Sequence, residues 1–203
     1  MLPRDQSITL RASVLAGFVG IMWLIHAIDS FLPRGLSAAG TGIVPRTWNG
    51  LYGIPVAPFI HATWGHLISN SIPLLILGAI VLFRGLGEFL FVTLCSVLIG
   101  GFGTWLFGEG NAQHVGASGL VFGLFGYLVF RSAFDRKITS AIVTLAVAVL
   151  YGSAMARSLI PAPDISWSSH FFGFLGGCTA ARLRYPGRQT RDPMPEARHR
   201  SWS

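Results

Sequence analysis

Apolar windows of about 20 residues, free or nearly free of charge, recur along this chain, and they constrain its folding more than any other feature. A helix needs about 20 such residues to cross ~30 Å of hydrocarbon. In that solvent every backbone N–H and C=O must be satisfied within the segment. Charged residues make up only 11% of the 203 and hydrophobic ones 52%, against about 25% charged in an average soluble domain. The windows therefore predict an all-α polytopic membrane protein. Six spans would occupy about 120 positions and leave no room for a soluble domain.

The spans fall at about 12–32, His66–Phe83, 88–107, 116–131, 138–156 and 167–183. This gives a membrane domain over 12–184, preceded by a cytoplasmic segment 1–11 and followed by a basic tail, 185–203. The tail is rich in Arg and Pro without apolar periodicity, so disorder is expected there. Between the first two spans, residues 33–60 carry Gly and Pro at short intervals and read as loop or short interfacial helix. Trp48 and Tyr52 suit the headgroup zone. Pro73 lies inside the second span, frees the Ser69 carbonyl, and predicts a kink there. The first apolar run resembles a signal sequence followed by Ser37-Ala38-Ala39, but it is too long for one and reads as an uncleaved helix.

Alternating six spans leaves twelve of the fifteen Lys and Arg on one side and three, Arg34, Arg46 and Arg157, on the other. The positive-inside rule then makes both termini cytoplasmic. The net charge of +7 is thus accounted for by topology, and no RNA-binding motif accompanies it, so no nucleic-acid partner is expected. The partners implied are the bilayer and whatever the membrane domain acts on. Cys95 and Cys178 both fall in apolar spans and read as small core residues, without a disulfide framework or a metal site. No cofactor is indicated.

Polar residues in membranes are costly and mark function, and four share one depth on the outer side. Ser118 opens the fourth span in Gly116-Ala117-Ser118-Gly119. His66 and Asn70, four residues apart, share a face at the head of the second. His170 opens the sixth. Gly119 and Gly123 form one small-residue face and Gly173 and Gly177 another, and paired faces of this kind let helices approach closely. Close packing of the fourth and sixth spans would bring the Ser118 hydroxyl to the His170 imidazole. His61 reads as structural, while His26 and His114 have no evident partner. The bland alternatives are a packing serine, interhelical hydrogen-bonding histidines and an asparagine acting as polar glue.

His61-x4-His66-x3-Asn70, Gly116-Ala117-Ser118-Gly119 and His170-x2-Gly173-x3-Gly177 resemble, in this order, the three signatures of the rhomboid family of intramembrane serine proteases. The resemblance covers about residues 10–185. It implies a six-helix rhomboid-like bundle and a Ser–His dyad, with Ser118 as nucleophile and His170 as general base. His66, Asn70 and the Ser118 amide would bind the oxyanion, and Phe122 would pack on the imidazole. Substrates would be transmembrane segments of other proteins. The first outer loop offers Arg46-Thr47-Trp48 where some bacterial members have a Trp-Arg pair. No carboxylate is placed to orient His170, since Asp164 lies six residues earlier and Glu109 lies outside. Residues 157–166, with Pro161 and Pro163, would cap the site. The competing readings are a non-catalytic rhomboid-like protein that binds membrane helices, and a small transporter. A zinc protease is disfavoured because H-E-x-x-H is absent.

Overall fold

The computed structural model describes residues 4–32, 38–110, 112–135, 137–160 and 166–186. Most of the expected tail, and the Pro161–Asp164 stretch of the expected cap, lie outside these residues. Among the described residues the regular elements are helical: α1 (Arg4–Phe31), α2 (Trp48–Val56), α3 (Trp64–Leu82), α4 (Leu86–Phe107), α5 (Ser118–Asp135), α6 (Ile138–Arg157) and α7 (Trp167–Arg184). Short 3-10 turns at Ala38–Thr41 and Ala57–Phe59 flank α2.

The long helices follow the apolar windows. The first begins earlier than the sequence suggested, at Arg4, because no Gly or Pro interrupts residues 4–16 and hydrogen bonding runs on past the apolar stretch. Pro73 sits within α3 without ending it. Four helices, α1, α3, α4 and α6, are long and apolar enough to cross a membrane. The other two expected spans, α5 and α7, have 18 residues each and carry charge near their C-terminal ends, Arg131 and Asp135 in α5 and Arg182 and Arg184 in α7. Packing explains the difference. Nine residues of α5 are buried, against three in the longer α6. A helix enclosed by other helices has little lipid-facing surface to keep apolar.

The core is a three-helix stack in which α7 packs most extensively on α5 and next on α4. Glycines set the spacing. A Cβ on Gly177 would lie 1.8 Å from the Gly123 carbonyl oxygen, and one on Gly173 would lie 2.1 Å from that of Gly119. On the other flank, a Cβ on Gly100 would come within 3.1 Å of Gly173 Cα. The backbones of these helices are therefore nearly in contact, as small-residue faces allow. Around them Leu67, Leu74, Leu77, Val81, Phe89, Val92, Leu124 and Tyr127 form a fully buried apolar cluster.

The described part of the segment between α1 and α3, residues 38–63, is docked rather than loose. Ile43 and His114 exchange two backbone hydrogen bonds of 2.9 Å. Arg46 donates through Nη1 to the Leu106 and Gly108 carbonyls at 3.1 and 2.9 Å. Trp105 Nε1 donates to the Thr47 carbonyl at 2.7 Å. Arg46 thus satisfies carbonyls at the C-terminus of α4 that have no helical partner. It does so from a left-handed backbone, with φ 59°.

At the opposite end, two polar groupings tie the helices together. The Tyr127 hydroxyl donates to Glu88, which also pairs with Arg184 at 3.2 Å. Arg131, the last residue of the expected fourth span, is buried and paired with Asp135, while donating to Ser140 Oγ at 2.7 Å. A buried cation needs such partners.

Candidate active site

Ser118 is the first residue of α5, where backbone amides have no intrahelical acceptor and the helix dipole favours negative charge. The turn before it is fixed from behind. Gly116 adopts φ +111°, a conformation natural to glycine, and its amide donates to the Ala57 carbonyl at 2.9 Å. The Ala117 amide donates to His61 Nε2 at 3.3 Å. His61, buried in the segment before α3, is held neutral by burial and by neighbouring His66, its pKa lowered to about 4. The Phe59 carbonyl opposes that fall more weakly, and among the described residues Nδ1 finds no hydrogen-bond partner in acceptable geometry. An uncharged ring is what Nε2 needs in order to accept. His61 therefore has the structural part anticipated for it, as a brace on the residue before Ser118.

Thr63 caps α3 by accepting from the His66 amide at 3.1 Å, a threonine N-cap that fixes the first turn. His66 and Asn70 then face the Gly116 turn. A Cβ on Gly116 would lie 2.7 Å from His66 Nε2 and 3.3 Å from Asn70 Nδ2. Only glycine leaves room for both side chains against the backbone leading into Ser118. Asn70 Nδ2 is buried and finds no hydrogen-bond acceptor among the described residues. An unmet buried amide donor costs about 1–3 kcal/mol, and it is the kind of group that a developing negative charge would satisfy.

His170 enters from the first turn of α7, 8% exposed. Its ring lies flat on Phe122, with centroids 4.3 Å apart and planes 3° from parallel. Its Nδ1 lies 2.7 Å from the Ser158 carbonyl oxygen at the end of α6. Carbonyl oxygen only accepts, so Nδ1 carries the proton and Nε2 is left with a free lone pair. This partner is not legible in the sequence, because a main-chain carbonyl has no residue signature.

These groups meet in one cavity of about 890 Å³. Ser118, His170, His66, Asn70 and Phe122 line it, with Ser69, Tyr151, Met155 and Ser158 among the remaining walls. The arrangement combines a hydroxyl at a helix N-terminus, an imidazole in the tautomer of a base, and side-chain donors on the facing helix. Such a set can support acyl transfer to a serine. Glycines 119, 173 and 177 set the helix spacing through backbone contact, while Gly116 leaves room for the His66 and Asn70 side chains. Among the described residues, no group of three or more His, Cys, Asp or Glu could hold a metal ion.

His114 and His26 acquire partners that the sequence did not reveal. His114 Nδ1 lies 2.7 Å from Ser166 Oγ, which bonds Ser169 Oγ at 2.7 Å, itself 2.9 Å from Thr104 Oγ1. Burial lowers the pKa of His114, with Glu109 opposing. His26 meets Trp64 edge-on, with centroids 4.5 Å apart.

Comparison with known proteins points the same way. A family profile described as the rhomboid domain matches residues 49–186. An uncharacterized protein of Mycobacterium tuberculosis is 36% identical over 183 residues, spanning 86% of this chain and 75% of its own. YdcA of Bacillus subtilis, provisionally named a rhomboid protease, is 29% identical over 159 residues, 77% of this chain and 79% of its own. The Rhomboid protease GluP of the same organism is 29% identical over 129 residues, 60% of this chain and 24% of its own.

Proposed function

The chain belongs to the rhomboid family of membrane proteins, and on that footing we propose that it is an intramembrane serine endopeptidase working through a Ser118–His170 dyad. The observation that carries the proposal is that Ser118, His170, His66 and Asn70, drawn from three separate helices, line a single cavity. His170 Nε2 takes the Ser118 proton as Oγ attacks a peptide carbonyl of an unwound transmembrane segment. Negative charge on that oxygen is met by the Ser118 amide, Asn70 Nδ2 and the His66 ring. His170 then returns the proton to the leaving amine, and water hydrolyses the acyl-enzyme by the same route in reverse.

In this reading the chain has six spans, α1 and α3 to α7, with both termini in the cytoplasm and the cavity open to the extracytoplasmic side. That orientation is supported by the distribution of Lys and Arg. The membrane domain is taken as 12–184, with 1–11 and 185–203 at its cytoplasmic ends. Transmembrane proteins in the same bilayer are the substrates, and no nucleic acid or cofactor takes part.

The test is cleavage of a single-span substrate by the purified protein in detergent, together with fluorophosphonate labelling. Wild type should cleave the substrate and be labelled at Ser118. Ser118→Ala should do neither, and His170→Ala should be nearly unlabelled. Stable capture of the substrate helix by wild type, with neither cleavage nor labelling, would instead identify a non-catalytic helix-binding rhomboid.

A further inference from the structure

We propose that the backbone carbonyl of Ser158, at the C-terminus of α6, is the positioning group for the His170 imidazole, filling the place that an aspartate occupies in a serine-protease triad. The inference rests on the dyad reading above and adds the means by which the dyad's base is oriented.

Three observations carry it. The Nδ1–O distance is 2.7 Å, a short hydrogen bond for a ring N–H. The ring is 8% exposed and pressed flat against Phe122, which fixes its plane but not its rotation within that plane. Stacking is the same for either flipped ring. A single acceptor at one ring nitrogen breaks this symmetry: it selects the Nδ1–H tautomer and turns Nε2 toward the cavity. When Nε2 gains the Ser118 proton the ring becomes imidazolium, and the bond to Ser158 becomes charge-assisted and stronger. The carbonyl is held for this purpose. Ser158 sits at φ −74° and ψ −4°, its amide bonded to the Ala154 carbonyl, and its hydroxyl donates to the same carbonyl at 3.0 Å. Its own carbonyl is past the last helical turn and so is released from the α6 ladder.

The contact ties the base to the least enclosed of the long helices after α1. Among α3 to α7, α6 has the fewest buried residues and packs mainly on α5. Displacement of the end of α6 would remove the acceptor and let the ring turn.

Leu159→Pro tests the contact without touching a cavity side chain. Proline forces the preceding residue out of the α region, so the Ser158 carbonyl swings away from Nδ1. Ile160→Pro is the control, because it places the same ring in the same turn while leaving Ser158 ψ free. Nitrogen-15 spectra of histidine-labelled wild type should show His170 protonated at Nδ1. In Leu159→Pro this signature should give way to mixed tautomers, and kcat should fall about 10–100-fold, the loss typical when a metal-bound histidine is deprived of its outer hydrogen-bond partner. The acid limb of the kcat–pH profile should also shift, since the imidazolium has lost its acceptor. Ile160→Pro should retain the wild-type tautomer and most of the activity. An Nε2-protonated ring in folded wild type would overturn the proposal, even if Leu159→Pro does not fold. So would an unchanged tautomer and pH profile in folded Leu159→Pro. Wild type that shows the Nδ1–H signature but cleaves nothing would sink the protease reading and leave the contact standing.

Discussion

The His170 imidazole and the Phe122 ring lie 4.3 Å apart and within 3° of parallel, one helical turn beyond Ser118 on α5. The aromatic face restrains the imidazole to a plane and shields it from water on one side. Phe122→Tyr keeps the ring and should retain near-native activity. Phe122→Leu loses the flat surface, and kcat should drop roughly tenfold or more while KM changes little, as expected when the base is misoriented. Steady-state kinetics on folded variants checks this. Equal kcat for Phe122→Leu and wild type would remove the stacking from the mechanism.

The oxyanion donors make a second case. If Asn70 Nδ2 and His66 meet charge that exists only in the transition state, their loss lowers kcat and spares KM. Removal of one such donor costs about 10²–10³ in kcat, and Asn70→Ala should lie near the lower figure because His66 and the Ser118 amide remain. The double variant should lose less than the product of the two single losses. Melting temperatures measured alongside decide the matter: near-native kcat with lowered melting temperatures would make both residues packing groups only.

Much of this was readable in the sequence because lipid imposes simple demands. Apolar windows marked the helices, and glycines four residues apart marked the faces of α5 and α7 that now lie backbone to backbone. The missing pieces are main-chain or tertiary in origin. Ser158 acts through a carbonyl that any residue would supply, released by the point at which α6 ends. His114 finds Ser166 and Ile43 only once α4, α7 and the segment before α2 have met. The burial of Arg131 is hidden in the sequence because its carboxylate partner, Asp135, lies one turn further along a helix longer than its apolar window. Even α5 and α7 fail a hydropathy test for spanning, for the reason that makes them central.

Glycine spacing predicts a graded series. A methyl on Gly177 or Gly173 would collide with a backbone carbonyl at 1.8 or 2.1 Å, whereas one on Gly119 would meet the Ser169 carbonyl at 3.2 Å. Backbone cannot move aside as a side chain can. Gly177→Ala and Gly173→Ala should therefore separate α5 from α7, with a stability loss of about 1–3 kcal/mol and severe loss of cleavage. Gly119→Ala should be milder, and Gly119→Leu severe. Thermal melts and initial rates across the series give the order; a uniform response would contradict it.

Acid lability follows from His61. Its folded-state pKa of about 4 lies below the usual 6.5, so folding favours the neutral ring. That contribution is complete above pH 6.5 and is lost as pH falls through 6.5 toward 4. By pH 4.5 the loss amounts to about 2–3 kcal/mol. His114, also lowered by burial, acts in the same direction. His61→Gln keeps an acceptor for the Ala117 amide but does not titrate, so its melting temperature should fall less between pH 7.5 and 4.5 than that of wild type. Parallel curves for the two proteins would show that His61 is not the titrating group.

The Arg46 clasp bears on how the protein is made. The carbonyls it captures belong to Leu106 and Gly108, about 60 positions downstream and therefore synthesised later. At 5–20 residues per second the ribosome needs roughly 3–12 s to supply them. Through that interval the segment leading into α2 has been translated but has nothing to dock on. Its settling must wait for the far end of α4, so in the nascent chain α4 completes a structure begun before α3 was made.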